Sequence, residues 1–344
     1  MKPGQSLFHS SFTILLTFSL IACTPSAQAV EPTVTATAMP LDTPTAKATA
    51  SITTSETGHT LTLVWQSEFS PEAALGAGVD LALDEQGNVY VTTANIKKYD
   101  KEGKFITQWG GLGSDEGELN LPTGIAVDTD GNVYVNDFRN QRIQKFDSTG
   151  KFLLQWAPDP VGGPGSIAVD QEGNVYVSLF ESDDHNIQKF DSNGKLLMDW
   201  GGIGTGDGQF AGRIEDIAVD QDGNLYVTDS YNHRIQKFDS DGNFLAKFGG
   251  EPSREGKGRF YDTEGIAVDS QGNIYVVDNY FLQKLDSQGN FIAQWSRTNG
   301  GDLDQAGFVT VDSQGDIYIL ARSDVTSATG ERFKLDFVKK FHQS

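Results

Sequence analysis

The chain has 344 residues, and its 47 acidic and 26 basic side chains give it a formal net charge of −21. So acidic a protein repels phosphate backbones, and we therefore expect no nucleic-acid partner. A single cysteine in the whole sequence excludes a disulfide bond within the chain. The length alone would suggest two domains, but the internal repeats described below override that expectation.

The first 22 residues have the pattern of a secretory signal peptide. Lys2 supplies a short positive start, and residues 12–22 form a mostly apolar stretch that is short for a membrane span. The stretch ends in Leu20-Ile21-Ala22-Cys23, which resembles the lipobox of bacterial lipoproteins. The resemblance implies cleavage before Cys23 and acylation of that residue, and therefore an extracytoplasmic protein attached to a bacterial membrane, at the cell surface or in the periplasm, by lipid alone. The alternative is an ordinary signal peptide with an incidental cysteine.

Residues 23–60 are rich in Thr, Ala, Pro and Ser and contain almost no large apolar side chains. A segment of this composition cannot bury enough apolar surface to offset the entropy of folding. We therefore expect a disordered linker between the lipidated cysteine and a folded domain at residues 61–344.

The folded part consists of six similar units. The motif IAVD, or a close variant, recurs at intervals of 42 to 50 residues, with its aspartate at Asp84, Asp128, Asp170, Asp220, Asp269 and Asp312. Short apolar runs and glycine turns at such a period are typical of four-stranded propeller blades. The sequence therefore predicts an all-β protein, a six-bladed β-propeller.

Two kinds of D-x-x-G turn divide each unit into four strands. In the second unit, the turn at Asp128 joins strands at 125–127 and 133–135, and the turn at Asp147 joins strands at 143–146 and 152–156. The first turn occurs six times, but the second occurs only five times, because the chain ends soon after Phe341. We expect strand 61–65 to supply the missing strand of the last blade by pairing with Val338–Phe341, since an open ring would leave exposed strand edges.

The large aromatic residues recur with the same period. Because each set holds one position of the repeat, we predict that they pack between blades and do not bind ligands. They are Trp65, Trp109, Trp156, Trp200 and Trp295, with Phe248 in place of a tryptophan, and Tyr90, Tyr134, Tyr176, Tyr226, Tyr275 and Tyr318.

The units Gly110–Asp147 and Gly201–Asp239 closely resemble NHL repeats, with their glycine-rich starts and their IQKFD ends. The sixth unit departs most, with Gly315-Asp316 for Gly-Asn and an insertion at 323–332. The resemblance implies a β-propeller, and the family includes both protein- or RNA-binding platforms and enzymes such as the amidating lyase. Lactonases and the streptogramin lyase have similar six-bladed rings, so the fold does not choose among these functions.

Any ligand site should lie on the face opposite the uniform turns, where the irregular loops gather. Candidate ligand contacts in these loops are Arg139, Tyr231, Tyr280 and Arg322. We expect Asp137, Asp229 and Asp278, which end second strands, to cap the loops that follow them.

A zinc site needs several convergent histidines, and the repeats offer only His185, His233 and the terminal His342. The first two share one repeat position, which favours loop packing. Calcium prefers oxygen ligands. A channel-mouth calcium site formed by Asp216, Asp262 and Glu264 therefore remains open, although no cofactor is required by the sequence.

The sequence contains no nucleophile elbow and no convincing Ser-His-Asp arrangement. We therefore expect a monomeric binding module that uses its loop face for a protein, peptide or glycan, without catalysis. The alternative is a metal-assisted lactonase or lyase with channel carboxylates at its site. A purely structural surface scaffold is the third possibility.

Overall fold

The computed structural model describes residues 51–53, 59–68, 80–158, 163–180, 187–297, 303, 306–326 and 332–343. At residues 51–53, 67–68, 180, 322–326 and 332–337 the description covers the backbone alone. The predicted signal peptide, Cys23, most of the predicted linker and His185 lie outside the described residues, and the predictions made for them stay predictions.

Blades 1 to 3 are four-stranded antiparallel sheets. Blade 1 contains β3 (Leu81–Leu83), β4 (Val89–Thr92), β5 (Ile96–Tyr99) and β6 (Phe105–Trp109). Blade 2 contains β7 (Pro122–Val127), β8 (Val133–Asp137), β9 (Arg142–Phe146) and β10 (Phe152–Trp156). Blade 3 contains β11 (Gly163–Val169), β12 (Val175–Phe180), β13 (Ile187–Phe190) and β14 (Leu196–Trp200).

Blades 4 and 5 repeat this order, and blade 6 has five strands. Blade 4 contains β15 (Ile217–Val219), β16 (Leu225–Asp229), β17 (Arg234–Phe238) and β18 (Phe244–Gly249). Blade 5 contains β19 (Thr263–Val268), β20 (Ile274–Asp278), β21 (Phe281–Leu285) and β22 (Phe291–Ser296). Blade 6 contains β23 (Ala306–Val311), β24 (Ile317–Thr326), β25 (Arg332–Gln343), β2 (Thr60–Glu68) and β1 (Ser51–Thr53).

The six blades form a closed ring, as predicted. Their innermost strands contact one another in circular order, from β3 through β7, β11, β15, β19 and β23 back to β3. The closing contact depends on the N-terminal strand β2, which pairs with the C-terminal strand β25 with Leu63 opposite Phe341. The predicted closure by residues 61–65 is therefore confirmed, and the pairing continues to Glu68.

Two local predictions need correction. Ser51–Thr53, assigned to the linker by composition, form strand β1 on the outer edge of β2. Residues 321–334, predicted as an irregular loop, lie mostly in the long hairpin of β24 and β25, which stays in register as far as Thr326 opposite Arg332. The sequence could not show this, because the insertion has no counterpart in the other five units.

The repeated polar residues hold each blade to the next. In blade 2, Asp128 accepts hydrogen bonds from Asn132 and from the Tyr134 hydroxyl, the latter at 3.0 Å. The ammonium of Lys145 lies 4.8 Å from the Tyr134 ring centroid and donates to the carbonyl of Ser192 in blade 3. A cation over an aromatic ring is stabilised electrostatically. These contacts explain why the same residues recur at one position of each repeat, and they confirm the structural role predicted for the tyrosines.

The core consists of six apolar clusters, each between two neighbouring blades. In the cluster between blades 1 and 2, Trp109 packs edge-on against Tyr90 and also contacts Phe146. The outer-turn Gly150 of blade 2 lies directly against the indole, where a β-carbon would come within 2.5 Å of it. Trp156 and Trp200 repeat this arrangement. The described tryptophans therefore pack between blades, as predicted.

Candidate functional site

The two 3-10 turns of the loop face, Phe138–Asn140 and Ser230–Asn232, follow the second strands of blades 2 and 4. In blade 4, the buried carboxylate of Asp229 accepts hydrogen bonds from Asn232, from the Arg234 guanidinium at 2.7 Å and from Gln236. Arg234 also donates to three carbonyls of the glycine-rich loop before blade 4. These polar residues therefore make the loop face rigid.

The capping role predicted for the strand-end aspartates is confirmed at Asp278, whereas Asp137 and Asp229 make no side-chain cap hydrogen bond to the 3-10 turns that follow them and bind polar side chains instead. Asp137 repeats the arrangement of Asp229 and binds Asn140, Arg142 and Gln144. Asp278 accepts hydrogen bonds from the backbone amides of Tyr280 and Phe281 at 2.7 and 2.8 Å. Burial raises the pKa of Asp278. All three carboxylates are thus used by the protein itself.

Tyr231 is the most exposed aromatic residue among the described side chains of the loop face, with 69 % of its surface accessible. One face of its ring lies against Gly212, where a β-carbon would come within 3.0 Å of the ring. The neighbouring Arg213 forms a two-point ion pair with Glu215, with 2.9 Å between Nε and Oε1. A hydrogen bond to Glu215 raises the pKa of Arg213. The exposed ring is therefore presented from a fixed backbone beside a charged pair.

Tyr280, in the turn between β20 and β21 of blade 5, belongs to a second aromatic group together with residues of the loop between blades 4 and 5. Its ring packs edge-on against Tyr261, with 5.6 Å between the ring centroids. The guanidinium of Arg254 lies 5.1 Å from the Tyr261 centroid and 5.8 Å from that of Tyr280. The ring of His233 is 6.1 Å from Tyr261, and its Nδ1 contacts the Tyr261 carbonyl. His233 therefore packs in a loop, as its repeat position predicted.

Two contacts connect the turn that carries Tyr231 to this second group. Ser230 donates a hydrogen bond to the carboxylate of Asp262, and His233 contacts the backbone of Tyr261. The structure thus brings Tyr231 and Tyr280, both predicted as ligand contacts, to adjoining loops of blades 4 and 5. Arg139 is also exposed on the loop face, but in the turn of blade 2.

Arg322 lies on strand β24 opposite Asp336, and its side chain is outside the described part. The prediction that Arg322 lies on an irregular loop is therefore wrong, because its backbone belongs to a strand. The reason is the extended pairing of β24 with β25, which continues past the end of the blade. Its prediction as a ligand contact stays a prediction.

Two buried aspartates lie at the channel end of the inner strands. Asp216 accepts hydrogen bonds from Ser166 at 2.7 Å and from the amides of Ile217 and Ile266. Asp80, at the same position of blade 1, accepts from the amides of Leu81 and Ile125. Burial raises the pKa of Asp216 to about 7. Burial, followed by the charge of Asp216, raises that of Asp80. Each aspartate connects its own blade to the next.

Glu264 lies one residue before the blade 5 position equivalent to Asp216, and its carboxylate is 3.0 Å from the Arg297 guanidinium. Arg297 is buried and also donates to the carbonyl of Asp278. Burial raises the pKa of Glu264 despite the opposing effect of Arg297. Asp262 is exposed and binds Ser230 and Asn279 instead.

The three residues predicted as calcium ligands do not meet as one ligand set in this arrangement. Asp216 is satisfied by protein donors, Glu264 is paired with Arg297, and Asp262 faces a different part of the loop surface. Among the described residues, no group of three or more His, Cys, Asp or Glu side chains could hold a metal ion. The residues therefore do not fit a calcium site in this conformation, and calcium binding stays a prediction.

Sequence reasoning missed Arg254, Tyr261 and Arg297. None of them has a repeated counterpart, and each makes at least one contact with a residue of another loop. One signal was available: the turn of blade 5 is two residues shorter than those of blades 2 and 4, and it has Phe281 where they have Arg142 and Arg234. That departure indicates a loop held by other contacts.

Comparisons with known proteins agree with this architecture. Residues 212–238 match the NHL repeat, and residues 44–201 match the SMP-30/Gluconolactonase/LRE-like region. Neither match covers half of the chain. The chain is thus a six-bladed propeller with an NHL repeat in blade 4 and a region similar to the SMP-30/gluconolactonase type before it. A search of the curated proteins finds no match.

Several solved structures share the fold at low sequence identity. A streptogramin B lyase is 14 % identical, with a TM-score of 0.55, over 81 % of this chain and 98 % of that one. Virginiamycin B lyase from Staphylococcus aureus is 12 % identical, with a TM-score of 0.53, over 80 % and 98 %. A gluconolactonase from Xanthomonas campestris is 14 % identical, with a TM-score of 0.57, over 87 % and 97 %. At such identities the likeness shows the fold alone.

No helix in the described part of the chain is long and apolar enough to cross a membrane.

Proposed function

We propose that this protein is an exported, lipid-anchored binding module whose loop face binds a protein, peptide or glycan. The observation that carries the proposal is the surface of blades 4 and 5. There Tyr231 is exposed and Tyr280 lies beside Tyr261, on loops that are bonded to each other. The carboxylates nearest the channel are bonded to protein groups instead. Aromatic rings held at the surface by ordered loops suit recognition better than proton transfer.

The binding proposal is tested with the full-length chain on arrays of peptides and glycans. A ligand found this way should bind the Tyr231→Ala/Tyr280→Ala double variant at least about tenfold more weakly, because rigid aromatic contacts dominate such surfaces. The matched control is Leu153→Ala/Leu197→Ala, which removes two exposed apolar side chains from the outer strands of blades 2 and 3. Equal binding by the folded double variant would remove these loops from the site. No saturable ligand at all would favour a structural scaffold.

The anchor is proposed from the lipobox and is tested separately. Full-length protein expressed in a bacterium should partition with the membrane fraction and carry acyl groups on Cys23 by mass spectrometry. The Cys23→Ser variant should lack the acyl groups and leave the membrane. Cleavage at another bond, with Cys23 unmodified, would contradict the anchor and leave an ordinary signal peptide.

A second candidate function is a metal-assisted lactonase or lyase. It is favoured by the similarity of residues 44–201 to the SMP-30/Gluconolactonase/LRE-like region. If this candidate is correct, turnover of a panel of lactones should be lost in both Glu264→Gln and Asp216→Asn. Calcium added after chelation should also raise the melting midpoint. A ligand present at a hundred times its dissociation constant adds about 2.7 kcal/mol to the free energy of unfolding. Turnover that is independent of calcium would support an enzyme but contradict the metal-assisted mechanism.

A further inference from the structure

The loop between blades 4 and 5 presents an arginine on two tyrosine rings. Arg254 is exposed, and its guanidinium lies 5.1 Å from the centroid of Tyr261 and 5.8 Å from that of Tyr280. A hydrogen bond to Tyr261 raises the pKa of Arg254. Stacking on aromatic rings holds a guanidinium in a fixed orientation, and the N–H donors that the hydrogen bond to Tyr261 does not use can bind a partner.

The backbone around Arg254 is fixed on both sides. The amide of Ser253 donates to the carbonyl of Phe260 at 3.2 Å, and the carbonyl of Glu255 accepts from Gln294 of blade 5 at 3.1 Å. Gln294 also accepts from the amide of Lys257 at 2.9 Å. The guanidinium is therefore presented from an ordered loop, so that little further ordering is needed when a ligand binds.

The tip of this loop is basic, although the loop 250–262 as a whole has three acidic and three basic side chains. Residues 254–259 contain Arg254, Lys257 and Arg259 with a single acidic residue, Glu255, in a protein of net charge −21. Arg259 lies 4.0 Å from Glu255, which is the outer limit of an ion pair between exposed side chains. A basic spot on an acidic protein selects an anionic group, and a planar guanidinium suits the two oxygens of a carboxylate.

The surroundings of Arg254 suit a sugar ring. Tyrosine rings offer flat apolar faces with a polar edge. Asp262, the residue after Tyr261, has an exposed carboxylate that accepts hydrogen bonds from Ser230 and Asn279. A carboxylate of this kind can also accept hydrogen bonds from the hydroxyl groups of a sugar. A peptide is usually recognised by strand addition, in an apolar groove or, when it is acidic, by a cluster of arginines, whereas Arg254 is the one arginine among the described residues that is stacked on these tyrosines. The Arg254 loop is glycine-rich and turns repeatedly, with positive φ at Gly256, Lys257 and Gly258, so it offers no strand edge.

We propose that Arg254, Tyr261 and Tyr280 form a binding site for a carboxylate-bearing saccharide. Arg254 binds the carboxylate through two parallel N–H donors, the tyrosines contact the face of the sugar ring, and Asp262 accepts from its hydroxyl groups. This inference rests on the proposed function, because it names the ligand class of the same loop face.

The test uses the full-length protein with trigalacturonate, its methyl ester and triglutamate as probes in calorimetry. Trigalacturonate should bind saturably, and the ester, which keeps the sugar but loses the charge, should bind at least about tenfold more weakly. The Arg254→Met variant keeps the stacked stem and should lose about 10- to 100-fold in affinity for trigalacturonate, as expected for a charge-assisted pair. Arg254→Lys should also bind more weakly than the wild type.

The matched control is Arg259→Met, which removes the same charge from the same loop and should change the affinity by less than about threefold. Equal losses in both variants would indicate diffuse electrostatics and overturn the site. Equal affinity for the ester, triglutamate binding as tight as trigalacturonate, or no binding by the wild type would also overturn it. A ligand that depends on Tyr231 and Tyr280 but not on Arg254 would refute this inference and leave the proposed function standing. If the arrays give no saturable ligand, both this inference and the proposed function are refuted.

Discussion

At the scale of single residues, the channel aspartates are buried where an ionised carboxylate is costly. Asp216 has hydrogen-bond donors from blades 3, 4 and 5, and these favour its ionised form. Burial has the larger effect and raises its pKa to about 7. The side chain is therefore both a connection between blades and a source of pH dependence.

We predict that the protein becomes less stable as the pH rises from about 4 to about 7. In this range folded Asp216, with a pKa of about 7, holds a proton that the unfolded chain, near 3.8, has lost. The free energy of unfolding therefore falls with rising pH, by at most about 1.4 kcal/mol per pH unit for one proton. Urea unfolding at pH 5, 6, 7 and 8 measures the slope.

The Asp216→Asn variant should show a shallower slope over the same range. Asp147→Asn is the control, because hydrogen bonds with Thr149 and Lys151 lower the pKa of Asp147, and its effect on stability is lost only at more acidic pH. A slope that is unchanged in Asp216→Asn, or equally reduced in Asp147→Asn, would contradict the assignment to Asp216.

At the scale of the blade, the outer turn is fixed by a glycine and by a ring of the preceding blade. Gly150 has φ of +89°, which L-residues with a side chain rarely adopt. Its α-carbon also faces the indole of Trp109, with no room for a β-carbon. The turn therefore needs glycine for two independent reasons.

The Gly150→Ala variant should lose about 2–4 kcal/mol of stability, from backbone strain together with overpacking against Trp109. Gly315→Ala is a matched control, because Gly315 has φ of +82° and no neighbour within 4 Å of the added β-carbon. It should lose only about 1–2 kcal/mol, the cost of the strain alone. Equal losses in thermal or urea unfolding would show that the tryptophan contact adds nothing.

The repeat explains why so much of each blade could be predicted. Asp128, Tyr134 and Trp109 act within one unit or between adjacent units, so their roles are visible in the period. Arg254 and Arg297 act in loops that differ from blade to blade, and their partners Tyr280 and Glu264 lie in other loops that the repeat does not place. The prediction of Tyr231 and Tyr280 as ligand contacts on the loop face therefore named two residues of the proposed region but not Arg254.

At the scale of the whole molecule, ring closure depends on strands from the two ends of the described chain. Leu61 and Phe341 are fully buried, and both belong to the cluster between blades 5 and 6. Trp65 packs against Tyr318 in the cluster between blades 6 and 1. Separation of β2 from β25 would therefore open both core clusters beside blade 6, and we expect blade 6 to unfold together with the ring.

A disulfide between β2 and β25 tests this dependence. Thr62 and His342 are partners in the register and are both at least partly exposed, so Thr62→Cys/His342→Cys, in a Cys23→Ser background, can join the strands. Partners in antiparallel strands are close enough for a disulfide. The control is Lys97→Cys/Gln108→Cys, which joins the corresponding third and fourth strands of blade 1 through a short loop. Loop-closure entropy predicts that the long-range disulfide adds about 3 kcal/mol more stability than the short one.

The comparison is the free energy of urea unfolding of each variant, oxidised against reduced. A larger gain for the disulfide in blade 6 would show that the terminal strands and the other blades unfold in one step. The same gain in both variants, or a first unfolding phase that the blade 6 disulfide alone removes, would contradict this. In that case β2 would separate from β25 while the remaining five blades stay folded, and the buried contacts of Leu61 and Phe341 would stabilise only blade 6.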